Sequence, residues 1–303
     1  MSPATRLFPT NGPSSATHMK VVVTGASGIL GSDIVKELER QDWEVLEFSS
    51  KNIRLDDIID VRAKIIPFQP DIIIHSAAMT NVDLCEDDRE AAIKVNVLGT
   101  HNISLVAAAL QAKVVYISSC GVYGNSKTEA YNELDATNPL TYHHYTKLIG
   151  EQRITDHNHR YLIVRTGWLF GGDKEQKKNF VEARRKEATT SPLMRSAGDK
   201  FGSPTYTVDL ARQLVVLLEA DVFGTFNAVN TGRASRFDYV SELVKLLGLS
   251  TPVEMVDSNA FPRRANMPDN EVLDNMQLRL RGLDTMRDWK SALKSYIDLT
   301  YQQ

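Results

Sequence analysis

A histidine and a lysine one helical turn apart carry the strongest chemical signal in this chain. The stretch NPLTYHHYTKLIGEQ, residues 138–152, sets His143 four positions before Lys147, which puts both on one face of a helix. A cation beside a titratable ring can hold or move a proton where charge develops on a carbonyl oxygen. Hydroxyls and an indole of the right type stand elsewhere in the chain. Ser118 and Ser119 close the apolar run KVVYISS, and Thr166 and Trp168 end RYLIVRTGW.

Such groups need a scaffold and a reactant. VVVTGASGILGSDIV places Gly25, Gly28 and Gly31 directly after an apolar run and at the start of an amphipathic one. Gly25 permits a tight turn, Gly28 lets backbone approach a pyrophosphate, and Gly31 lets the helix lie close to a sheet. The helix start, with Ser27, Ile29 and Leu30, offers unpaired N–H groups and a positive dipole to phosphate. Strand, glycines and helix in that order point to a dinucleotide. A chain that takes NAD carries an acidic residue at the end of its second strand for the ribose hydroxyls. Here that region is LEFSSKN, where Ser49, Ser50 and Lys51 suit a 2′-phosphate, so NADP(H) is favoured over NAD(H). Asp56 is a candidate for the adenine edge and for the cap of the next helix.

Five short Val- and Ile-rich runs, at residues 20–23, 44–48, 71–77, 113–119 and 160–166, have the pattern of buried parallel strands. Apolar residues recur at helical spacing between them, and a long helix is predicted over about 89–111. The alternation predicts an α/β fold, a doubly wound parallel sheet of Rossmann type, with ligands beyond the carboxyl ends of the strands. The third strand ends in Ala77 and Ala78, small enough for a cofactor to lie close. After residue 166 the rhythm changes to longer loops, a helix capped near Asp209, a strand in GTFNAVN and a helix in SRFDYVSELVKLLGL. The expected division is a disordered or non-native leader over 1–18, a dinucleotide-binding domain over 19–166, and a smaller, irregular substrate-binding lobe over 167–303.

Composition excludes other classes. A net charge of −3 over 303 residues argues against a nucleic-acid surface. No run approaches eighteen apolar residues, so no membrane span is expected. Two scattered cysteines, Cys85 and Cys120, fit reduced thiols in a cytoplasmic protein. No residues have metal-ligating spacing; His157 and His159 stand alone in a polar loop. His75 fits a satisfied core histidine, and His144 a surface or packing residue. Asn96, in KVNVLGT, is either a link that fixes the Lys147 backbone or a buried amide.

Together these pieces resemble the extended short-chain dehydrogenases/reductases, and among them the dTDP-4-dehydrorhamnose reductases. The segments that carry the resemblance include TGASGILG, PDIIIHSAAMTNVD, NPLTYHHYTKLIGEQ, LIVRTGWLFG, KNFV, GSPTYTVDLA and FPRRANMPDNEVLDN. The resemblance implies a nucleotide-sugar substrate and hydride transfer from a nicotinamide to a 4-keto carbon. By its motifs, Ser119 takes the place of the hydroxyl that bonds the ketone. Lys147 takes that of the lysine that binds the nicotinamide ribose and lowers the acid's pKa. Thr80, Gly121, Trp168, Asn179 and Arg264 fall at positions facing the substrate. A homodimer is left open.

The proton-donating tyrosine of such enzymes would stand where this chain has His143. Four readings follow: His143 is the acid; Tyr142 or Tyr145 reaches in through a distorted helix; a water bridges; or the protein binds nucleotide without catalysis. The expected function is NADPH-dependent reduction of a nucleotide-linked 4-keto-6-deoxy sugar. The alternatives are a nucleotide-sugar epimerase, suggested by SSCGVYG, and a catalytically weak NADP-binding regulatory subunit.

Overall fold

A computed structural model describes residues 18–176 and 178–301. The expected leader, apart from His18, lies outside the described residues. Six parallel strands form the main sheet: β1 (Lys20–Thr24), β2 (Glu44–Phe48), β3 (Ile72–His75), β4 (Lys113–Ser119), β5 (Tyr161–Thr166) and β6 (Gly224–Asn227). Their order is β6-β5-β4-β3-β1-β2, so the winding reverses between β1 and β3. This is the expected Rossmann-type sheet.

The apolar runs are continuous because helices cover both faces. Val21 and Val23 turn toward α1 (Ile29–Glu39), while Val22 turns the other way, as a period of two requires. On the first face Ile34 and Leu38 of α1 meet Leu210 and Leu214 of a helix far along the chain. On the second, Val61 and Ile65 of α2 (Ile58–Ile65) join Val106 of α3 (Gly99–Leu110) and Ile154 of α4 (Tyr142–His157).

The long helix predicted over 89–111 is one run with a changed pitch. An α turn at Arg89–Ala92 passes into a π-helical stretch, Ile93–Leu98, before α3. The widened stretch buries Asn96, and such segments recur where side chains are placed for function. Residues 89–110 are long and apolar enough to cross a membrane by length and composition; here they pack along β3, β4 and α4.

The second lobe has its own core of aromatic rings, with Phe170, Tyr206, Tyr239, Trp289 and Tyr296 in mutual contact. It is built on α5 (Phe180–Thr190), α7 (Arg236–Leu246) and α8 (Trp289–Tyr301). Between α5 and α7 the chain returns to the main sheet. There α6 (Thr207–Glu219), which starts two residues before Asp209, packs beside α1, and β6 adds the edge strand next to β5. The sheet layer therefore draws on residues beyond 166. A two-residue strand, Phe201–Gly202, lies between Ala234–Ser235 and Asn270–Glu271. That pairing brings a late loop against Trp168.

Candidate active site

The turn after β1 closes against the loop after β3. Gly25 has φ +74°, and a Cβ there would lie 2.7 Å from the Ala77 nitrogen. A Cβ on Gly31 would lie 2.1 Å from the Gly25 carbonyl oxygen. Only glycine fits either position. α1 then starts with no side-chain cap and no acidic residue in its first turn, which leaves its N-terminal N–H groups for an anion.

From this turn a cleft of about 1150 Å³ runs across the carboxyl ends of the strands. Gly25, Ser27, Gly28, Ile29, Leu30, Gly31, Ser49, Ser50, Asp56, Ala77 and Ala78 line one part of it. Thr80, Ser119, His143, Lys147 and Trp168 line the other. Asp56 does not cap α2; the neighbouring Asp57 does, through Ile59 N and Asp60 N.

Four expected residues are absent from this lining. Lys51 lies on the exposed turn, with its N–H on the Ser49 hydroxyl. Asn179 is buried and engaged elsewhere: its amide donates to Gly171, Asp173 and Tyr296, and its oxygen caps α5 through Glu182 N. Arg264 is exposed and paired with Asp87 at 2.9 Å. Gly121 sits beneath the His144 ring, where a Cβ would approach ring atoms to 2.0–2.3 Å.

In their place the cleft gains Arg54, Gln176 and Lys178, which sequence reasoning missed. Arg54 carries an exposed cation on the rim near Ser49, Ser50 and Asp56, paired with Asp57. A cation four residues past Ser50 was a readable signal. Lys178 donates to the Thr80 hydroxyl at 2.9 Å. It stands beside Asn179 in the same KNFV motif, so that signal pointed one residue off.

Lys147 is buried and has no carboxylate partner among the salt bridges of the described residues. Its ammonium lies 4.0 Å from the Tyr116 ring centroid. Burial pulls its pKa down to about 7, with the Glu151 carboxylate opposing the shift. Glu151 is held by Arg165 at 2.7 and 2.9 Å and by the Ser118 hydroxyl at 2.5 Å.

His143 is also buried, and its Nδ1 lies 3.0 Å from the Met79 carbonyl oxygen. A carbonyl only accepts, so Nδ1 carries the proton. Burial, then His144 and Lys147, lower the pKa of the ring to about 3. Neutral His143 therefore has its Nε2 lone pair free, an acceptor rather than a donor. The Tyr142 and Tyr145 rings lie tilted against each other, 5.7 Å between centroids, and neither lines the cleft. Asn96 reaches Met79 N, Met79 O and the Thr146 hydroxyl, so it steadies the same carbonyl and not the Lys147 backbone. His75 is the satisfied core residue expected, between the Thr24 and Thr100 hydroxyls. His144 is buried and packs against the loop carrying Glu271, 3.8 Å from its carboxylate.

The whole described chain fits known proteins. Residues 19–302 match the family described as RmlD substrate binding domain. The spore coat polysaccharide biosynthesis protein SpsK of Bacillus subtilis (strain 168) is 32% identical over 92% of this chain and 96% of its own length. A dTDP-4-dehydrorhamnose reductase from Clostridium acetobutylicum ATCC 824 superposes with a TM-score of 0.89 at 34% identity, over 93% of this chain and 99% of that one. The corresponding reductase of Bacillus anthracis str. Ames, crystallised in complex with NADP, gives 0.90 at 30% identity over 94% of this chain and 100% of that one. This chain belongs to the RmlD substrate binding domain family, the dTDP-4-dehydrorhamnose reductase family of the extended short-chain dehydrogenases/reductases.

Proposed function

We propose that this chain reduces the 4-keto group of a dTDP-linked 4-keto-6-deoxy sugar with NADPH. Proteins similar over nearly the whole chain are named dTDP-4-dehydrorhamnose reductase, and one of them holds NADP. The observation that carries the reading is the continuous cleft from the glycine turn to Ser119, Lys147 and Trp168. The residues fit the cofactor: glycines where a Cβ would intrude, and an uncapped helix start for the pyrophosphate. Ser49, Ser50 and Arg54 would hold the 2′-phosphate.

NADPH, when bound, supplies the hydride. The ketone oxygen must then gain a proton. Ser119 donates a hydrogen bond to that oxygen, and Lys147 is the proton source, a cation poised to lose its proton near neutrality. His143 accepts a hydrogen bond and so orients a donor in the site. Lys147 also has the family position for the nicotinamide ribose. Thr80, Lys178 and Trp168 would face the sugar. The two buried free thiols fit a reducing cytoplasm.

Incubation with NADPH and a dTDP-4-keto-6-deoxyhexose tests this. Loss of NADPH absorbance with formation of a dTDP-6-deoxyhexose that carries a 4-hydroxyl is expected. A changed sugar with no cofactor consumed would make the protein an epimerase. Tight NADPH binding with neither change would make it a binding subunit.

A further inference from the structure

Trp168 occupies a backbone conformation that a bulky residue adopts at a cost. Its φ is +49°, in the left-handed region. Three contacts hold it there. The indole Nε1 donates to Glu271 Oε2 at 2.9 Å. The Arg236 guanidinium lies 3.4 Å from the ring centroid. Gly202 presses against the ring with no room for a Cβ, which would come within 2.2 Å of it.

Glu271 is buried and has no Lys or Arg within ion-pair distance among the described residues. Its other oxygen faces Cys120 Sγ at 3.6 Å and His144 Nε2 at 3.8 Å. A buried carboxylate in such company needs a purpose or a compensating charge. Arg236, stacked on the indole that Glu271 holds, supplies the charge. The result is an aromatic ring fixed at its edge by an anion and on its surface by a cation. Gly121 completes the arrangement: only a residue without Cβ leaves space for the His144 ring beside Glu271. The absence of a side chain at 121 and the presence of His144 are one packing solution.

We propose that Glu271 and Arg236 are positioning residues that lock the Trp168 indole as a rigid wall for the sugar of the substrate. This rests on the reading that Trp168 meets the sugar. Neither residue lines the cleft, so both act through the ring. The wall is preorganised before substrate arrives, which spares the ordering of a large side chain on binding. Glu271 comes from the late loop and Arg236 from the start of α7, so the second lobe sets the sugar wall while the sheet sets the cofactor.

The test measures KM for the dTDP-sugar and for NADPH in Glu271→Leu, Glu271→Gln, Arg236→Met and Trp168→Ala. Intrinsic emission is followed as the dTDP-sugar is added without NADPH, with Trp168→Phe identifying the signal of this indole. Glu271→Leu and Arg236→Met should each raise the sugar KM by about ten-fold or more, with NADPH KM unchanged. Both should weaken the change in Trp168 emission that the dTDP-sugar induces. Glu271→Gln keeps an acceptor for Nε1 and should stay within about three-fold of the parent. If Glu271→Leu fails to fold, Arg236→Met and Glu271→Gln still make opposite demands. A sugar KM unmoved in Arg236→Met, or raised as much in Glu271→Gln as in Arg236→Met, overturns the proposal while Trp168→Ala still raises it. A sugar KM unmoved in Trp168→Ala overturns the underlying reading as well.

Discussion

The Nδ1–H of His143 is bound to the Met79 carbonyl, 3.0 Å away, and the ring is held neutral by burial. The position expected to donate a proton thus faces the cleft as an acceptor. Asn96 grips the same Met79 from the π-helical turn, through both its N–H and its carbonyl. The tautomer of His143 is therefore set by a backbone group that cannot easily move.

His143→Tyr should raise kcat, because a phenol restores a donor whose O–H is not claimed by Met79. A gain of about ten-fold or more is expected from adding a positioned acid. The check is steady-state kinetics at neutral pH. An unchanged kcat would mean that proton supply does not limit turnover, and a lower one that the site needs the His143 acceptor.

Lys147 as proton source fixes the sign of the pH profile. Its pKa lies near 7, and only the ammonium can donate, so kcat/KM should fall as pH rises through about 7. Glu151 favours the ammonium, so Glu151→Gln should move that falling limb to lower pH. A limb that stays in place in the variant would detach it from Lys147.

Arg54→Ala should raise KM for NADPH by about ten-fold or more and leave KM for NADH near its parent value. The lost group is the guanidinium that lines the cleft beside Ser49, Ser50 and Asp56. Equal effects on both cofactors would place the 2′-phosphate elsewhere.

Folding stability should decline on mild acidification. The pKa values of His75 and His143 fall from 6.5 to about 3 in the folded chain. Below pH 6.5 the unfolded chain binds protons that the folded chain refuses, so ν_U exceeds ν_N and stability rises with pH. This contribution is fully present above 6.5 and is lost as pH falls toward 3. Tm should be lower at about pH 5 than at about pH 7, and His75→Gln should flatten the difference. A Tm independent of pH in this window would show that these rings are protonated when folded.

The glycine cradle and the pair His143 and Lys147 were legible because their signals are local. A strand, a turn and a helix start lie within a dozen residues, and the two side chains share a helical turn. Ser119 was legible for the same reason, as the end of a strand. Arg54, Gln176 and Lys178 come from irregular segments, where no periodicity tells which way a side chain points. Asn179 illustrates the cost of carrying a motif across whole: within KNFV the lysine lines the cleft and the asparagine caps a helix. β6 was visible as a strand but not as a neighbour of β5, since parallel pairing over sixty residues leaves no mark in either segment. Glu271 was hidden most deeply, because its contact with Trp168 spans 103 positions and depends on a two-residue strand.

Hydride transfer into the sugar is tested most directly with NADPH deuterated at the transferring position of its nicotinamide. Incubated with a dTDP-4-keto-6-deoxyhexose, the protein is expected to deliver deuterium to C4 of the product, seen by mass spectrometry and NMR. A product without deuterium at C4, or a sugar altered while the deuterium stays on the cofactor, would contradict the assignment of this cleft as a reductase site.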